Sequence, residues 1–125
     1  MNCKDLMVGD WFKSVDYNSP FRITAIYDDV VQTQADYQSE IDGNWYSEVE
    51  IKDLVPIPLT SDILEKNGWR KEPITIDGDY ANWHGEIHIS QAEDEYNYAD
   101  IELRYAHQLQ HLLRLCGIDK ELVID

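Results

Sequence analysis

The stretch Tyr105-Ala-His-Gln-Leu-Gln-His-Leu-Leu-Arg-Leu-Cys-Gly117 reads as one amphipathic helix closed by a glycine. Tyr105, Leu109, Leu112, Leu113 and Cys116 recur at i, i+4, i+7, i+8 and i+11, a single apolar stripe at the 3.6-residue period. A stripe of this kind has to be buried against another layer, so the helix demands a sheet or a second helix to cover. The same reading places Cys116 in the core and leaves His107, His111 and Arg114 on the wet side, with Gln108 and Gln110 beside them.

The upstream sequence supplies strands for that layer. Leu6-Met-Val-Gly-Asp-Trp-Phe12 sets a glycine turn before an aromatic pair, and Phe21, Ile23, Ala25 and Tyr27 alternate as one face of a strand. Asp28-Asp29 marks a turn, Val30 to Gln34 a further strand, and Asp42-Gly43 a hairpin ahead of Trp45-Tyr46. In Leu54-Val-Pro-Ile-Pro-Leu59 two prolines remove ladder donors, which confines the segment to an edge or a connector. Residues 1–59 are therefore expected to form a small, strongly bent β-meander or barrel of the Src-homology-3-like type.

Thr60 is placed as an N-cap, with Asp62 in the first turn, Leu59 and Leu64 as a hydrophobic staple, and Asn67-Gly68 as the stop of a short linking helix. Beyond it, residues 60–125 are expected to form the second lobe. Ile74 to Ile76 and Tyr80 to Trp83 read as a hairpin, Gly85 to Ser90 and Tyr98 to Arg104 as two more strands, and Glu121 to Asp125 as a last short one. The expected fold class is α+β: a small barrel, a linking helix, then an antiparallel sheet covered by the C-terminal helix.

Twenty-five acidic residues against ten basic ones give a net charge of −15, which argues against direct binding to nucleic acid through phosphate neutralisation. Two stretches lack any Lys or Arg, Ile23 to Ile51 with seven acids and Glu72 to Leu103 with nine. Twelve of the fourteen aromatics are Tyr or Trp, the types that combine apolar area with a polar handle and suit interfaces. Trp45, Tyr46, Glu93, Asp94, Glu95, Tyr96 and Tyr98 fall in or beside turns of the acidic stretches and are the candidates for an interaction surface.

Catalytic patterns are thin. Ser61 and Ser90 lie in no nucleophile-elbow context, the glycines form no phosphate-cradling loop, and Asp77-Gly-Asp79 lacks the later ligands of a calcium loop. His84, His88, His107 and His111 are the candidate metal ligands, yet the helical pair lacks the glutamate of a zinc-protease motif and neither cysteine stands at ligand spacing from a histidine. No cofactor is expected. Cys3 and Cys116 are expected as reduced thiols, and with no apolar run of the roughly 18 residues a membrane helix needs, the expected location is the cytoplasm.

The segments Leu6–Phe12, Pro56–Thr60 with Ile63-Leu-Glu-Lys-Asn-Gly-Trp69, and Arg104–Ile118 resemble a group of small bacterial proteins without assigned activity, found in gut bacteria and often near prophage genes. Tyr105 to His111 is the most specific part of the likeness. The resemblance implies an intracellular, phage-associated accessory protein and carries over no catalytic residue.

The expected function is a non-enzymatic interaction module that presents an acidic, aromatic face to a protein partner, one of basic character. A second reading is an acidic inhibitor that imitates DNA. Duplex DNA carries one charge per about 1.7 Å, so the net charge matches about 25 Å of helix, against an expected domain width of about 30–35 Å. A third is a metal-dependent hydrolase built on the four histidines.

Overall fold

A computed structural model describes residues 6–124, which form two compact units meeting in sequence at Ile57 and Pro58. Cys3 and the end of the expected last strand at Asp125 lie outside the described residues. The architecture is α+β, mostly antiparallel sheet, and no helix is long and apolar enough to cross a membrane among the described residues.

The N-terminal unit is one curled sheet. Its strands are β1 (Trp11–Ser14), β2 (Tyr17–Ile26), β3 (Val30–Gln38), β4 (Trp45–Glu50) and β5 (Leu54–Pro56), hydrogen-bonded in the order β4-β3-β2-β1-β5 with every pairing antiparallel. A single 3-10 turn, Ile51–Asp53, carries the chain from β4 into β5. Phe12, Phe21, Ile23, Val31, Tyr37, Val49, Ile51 and Leu54 fill the concave side. The ladder slips between Phe12 and Ser14, between Ile23 and Ala25, and between Gln32 and Tyr37. Such irregularities sharpen the twist and bend a sheet onto itself. They also break the alternation expected along Phe21 to Tyr27: Phe21 and Ile23 are buried, but past the slip Ala25 is half-buried and Tyr27 exposed.

The C-terminal unit begins at Pro58. Thr60 caps α1 (Ser61–Lys66) by accepting the Ile63 N–H at 3.3 Å, and Gly68, with φ +95°, takes the left-handed conformation that ends it. A second antiparallel sheet follows in the order β10-β9-β8-β7-β6, built from β6 (Arg70–Pro73), β7 (Tyr80–His84), β8 (Ile89–Ala92), β9 (Glu95–Tyr98) and β10 (Ile101–Glu102). Three expected strands are displaced. Ile74 to Ile76 is an exposed turn, because Lys71 and Glu72 take up the pairing with β7 instead. Gly85 to Ile87 bends, because Gly85 lies directly over the Trp69 indole, and β8 starts only at Ile89. Tyr98 to Arg104 is split by a turn at Ala99-Asp100, with Ala99 at φ +51°, which leaves Ile101 exposed.

The final helix, α2 (Ala106–Leu115), buries Leu109, Leu112 and Leu113 as expected, on a wider face than the stripe. Its covered positions are Ala106, His107, Leu109, Gln110, Leu112 and Leu113, so the stripe is widened to include Ala106 and Gln110. Cys116 is exposed, not core: the helix ends at Leu115, and an apolar residue beyond the last turn no longer follows the helical period. His107 and Gln110, expected on the wet side, are 8% and 2% exposed. Gln108 serves the first turn, its amide oxygen accepting the N–H groups of Arg104 and Tyr105 at 2.8 and 3.1 Å.

The expected strand from Glu121 onward is absent over the described residues, and two buried side-chain amides take its place. Gln110 donates to the Lys120 carbonyl at 2.7 Å and accepts the Leu122 N–H at 2.8 Å. Asn67 donates to the Val123 carbonyl at 2.8 Å, accepts the Val123 N–H at 2.7 Å, and also donates to the Ile63 carbonyl. These amides satisfy backbone groups that a strand ladder would otherwise have served.

Candidate functional site

The N-terminal unit holds a cavity of about 340 Å³ whose walls come from both ends of the curled sheet. Ser14 contributes from the end of β1 and Asp16 from the β1–β2 turn, Val30 and Tyr37 from β3, Tyr46, Glu48, Val49 and Glu50 from β4, and Asp53 from the 3-10 turn. Because β4 is the terminal strand of its sheet and the chain then turns straight into the opposite edge strand, β5, the curl brings these residues around one hollow.

Tyr37 sits at the aromatic end of the hollow, 5% exposed. Its ring packs against Tyr17, Phe21 and Tyr46 with centroids 4.9, 6.4 and 5.9 Å away. Burial, and then the Asp16 charge, push its phenol above the ordinary tyrosine value, so the hydroxyl stays protonated across the physiological range. The Ser14 hydroxyl makes a short hydrogen bond to Asp16 beside it. Tyr46 stands at the rim and is 37% exposed. Its hydroxyl donates to Asp42 at 2.5 Å, which lowers the Asp42 carboxyl below the usual range and fixes the ring against the β3–β4 turn.

The lining carries four carboxylates, Asp16, Glu48, Glu50 and Asp53, and no Lys or Arg. Glu50 is 3.1 Å from Lys52, an exposed pair on the outside of the 3-10 turn. Among the described residues, neither Glu48 nor Asp53 is in an ion pair. The hollow is therefore electronegative and partly aromatic, an environment that attracts cations through charge and through ring faces.

Of the residues singled out by sequence, Tyr46 lines this site, and Trp45, its neighbour on β4, lies outside the lining with 67% of its surface exposed. Glu93, Asp94 and Glu95 are exposed at the β8–β9 turn of the C-terminal unit, with Tyr98 half-buried beyond them. Tyr96 is 5% exposed, its hydroxyl 2.7 Å from that of Ser61, and with Asp94 it lines a second cavity, of about 530 Å³. β9 turns this side chain inward as the alternate of its exposed neighbour Glu95.

The histidines fall into two pairs. His84 and His88 have ring centroids 5.2 Å apart, with Glu72 at 3.3 Å from His84 and Asn82 at 3.1 Å from His88. His107 and His111 are 5.6 Å apart, and Tyr105 stacks on His107. Among the described residues, no three His, Cys, Asp or Glu side chains are placed to hold a metal ion together.

Asp16, Tyr37, Glu48 and Asp53 had no individual sequence signal. The nearest one was the base-free stretch from Ile23 to Ile51, which contains Tyr37 and Glu48 but says nothing of the curl that unites them with Asp16 and Asp53. Comparison of the chain with known families, characterised proteins and solved structures finds no match.

Proposed function

We propose that this protein is a non-enzymatic interaction module, with a Src-homology-3-like barrel as its N-terminal unit and α2 roofing the sheet of its C-terminal unit. The barrel reading rests on the strand order β4-β3-β2-β1-β5 and on the lone 3-10 turn between the last two strands. The observation that carries the function is the acid-lined, tyrosine-bearing hollow beside the exposed face of β4, where Trp45, Tyr46, Ser47 and Glu48 all meet solvent. Electronegative, aromatic surface of this kind favours a basic protein partner and speeds its encounter.

The test is a pull-down from lysate of the bacterial host, run with the wild-type protein and with the double variant Trp45→Ala/Tyr46→Ala, and eluted in steps of salt. The reading expects at least one partner retained by the wild type and lost by the variant. A partner set that ignores these two side chains refutes it. Elution of every partner by moderate salt together with displacement by duplex DNA would favour imitation of DNA charge.

A further inference from the structure

We infer that the hollow on the N-terminal unit receives an arginine side chain of a partner segment lying along the outer edge of β4. This rests on the interaction-module reading and names the chemistry of the group it captures.

Four properties of the hollow point to arginine. First, its size, about 340 Å³, at the lower end of the roughly 300–1,000 Å³ of small-molecule sites, is room enough for one long side chain. Second, its lining charge has one sign: four carboxylates line it, Glu50 and Asp53 feel the charge of Lys52 outside it, and Glu48 is in no ion pair among the described residues. Third, those carboxylates are spread around the wall, and among the described residues no trio is placed to grip a metal ion. A dispersed set of acceptors fits an extended cation with several donors better than a point charge. Fourth, the wall is not only acidic. Val30 offers apolar surface for a methylene stem, and the partly exposed Tyr46 ring, backed by the buried Tyr37, offers a face on which a planar guanidinium stacks.

A protein segment is the natural carrier. β4 ends its sheet, so its outer edge presents unpaired main-chain groups, and its four consecutive exposed residues show that no described part of the chain covers it. An extended peptide adds to such an edge through main-chain hydrogen bonds while alternate side chains enter adjacent pockets. Trp45, exposed at the start of β4, gives that peptide an apolar contact along the strand.

The experiment titrates the full chain with a short extended peptide carrying one central arginine, following backbone amide shifts by NMR and heat by calorimetry. Matched peptides carry lysine or the neutral isostere citrulline, and N-acetyl-arginine amide serves as the free side chain. Shifts are expected to concentrate at Asp16, Tyr46, Glu48 and Asp53. Loss of charge-assisted hydrogen bonds predicts weakening of about tenfold or more for citrulline and for the double variant Glu48→Gln/Asp53→Asn, with lysine intermediate. Glu93→Gln/Glu95→Gln, which removes the same charge from the other unit, should leave the affinity unchanged.

Lysine binding as tight as arginine, or equal weakening by the two double variants, would overturn the assignment. Equal affinity of the free amide would overturn the role of the β4 edge. Should Glu48→Gln/Asp53→Asn fail to fold, Tyr46→Ala and the map of shifts on the wild type decide the matter. Peptide binding at the hollow with no partner dependent on Trp45 and Tyr46 in lysate sinks the interaction reading alone. A partner that depends on them, without arginine selectivity, sinks this inference alone.

Discussion

Replacing Gly85 by alanine tests how tightly the C-terminal unit is packed around Trp69. Gly85 does not need glycine for its backbone angles; it needs it for space. A Cβ there would lie 2.6 Å from Cδ1 and Nε1 of the indole and 2.8 Å from Cε2, about 1 Å inside the usual carbon contact of about 3.5–4.0 Å. The ring has nowhere to retreat. It is 2% exposed, its N–H donates to the Ile87 carbonyl at 2.9 Å, and the Lys120 ammonium sits 4.8 Å from its centroid. Overpacking costs about 1–3 kcal/mol, and a shift that breaks the buried indole hydrogen bond adds about 1–3 more. The expected loss is about 3 kcal/mol, which lowers the melting temperature by roughly 12–24 °C for a unit of this size. Urea and thermal unfolding followed by far-ultraviolet circular dichroism measure it. Gly43→Ala is the comparison: nothing lies within 4 Å of its added Cβ, and its φ of +74° alone costs about 1 kcal/mol. A Gly85→Ala protein within about 0.5 kcal/mol of the wild type, or no worse than Gly43→Ala, refutes the steric argument.

Two further substitutions probe the same unit. Asn67→Ala removes both hydrogen bonds to Val123 and should cost about 2–3 kcal/mol, with fast hydrogen exchange at the Val123 amide as the local signature; slow exchange there would show that the amide clamp is dispensable. Glu86 accepts from Lys120 at 2.7 Å, which holds its carboxyl below the usual glutamate range, so its contribution is present above the unfolded value and disappears as pH falls through the folded one. Glu86→Gln should therefore be less stable than the wild type at neutral pH and indistinguishable from it in acid; a gap that persists in acid would assign the effect to packing.

Local chemistry carried much of the fold. Thr60, Asn67 and Gly68 announce α1 through capping and turn preferences that act within a few residues, and Asp42-Gly43 announces the β3–β4 turn in the same way. What escaped depends on distant partners. The slips at Ile23/Ala25 and Gln32/Tyr37 arise from curling, so no period of two along the chain reports them. Cys116 looked buried because its spacing continues the helix that Leu115 ends, and Gln110 looked wet because hydropathy cannot see a hydrogen bond to Lys120. The hollow was least legible of all. Asp16 and Asp53 are unremarkable acids until a curled sheet sets them opposite Glu48.

The two buried amides also determine where variation is tolerated. Because Asn67 and Gln110 grip the main chain of residues 120–123, the half-exposed Val123 is held without help from its own side chain, whereas Leu122 is buried and Lys120 bonds Glu86. The constraint has migrated to two polar positions that a hydropathy profile would score as expendable. A single exchange of Asn67 for aspartate would replace the donor facing the Val123 carbonyl with an acceptor and so loosen that main chain from 56 residues away.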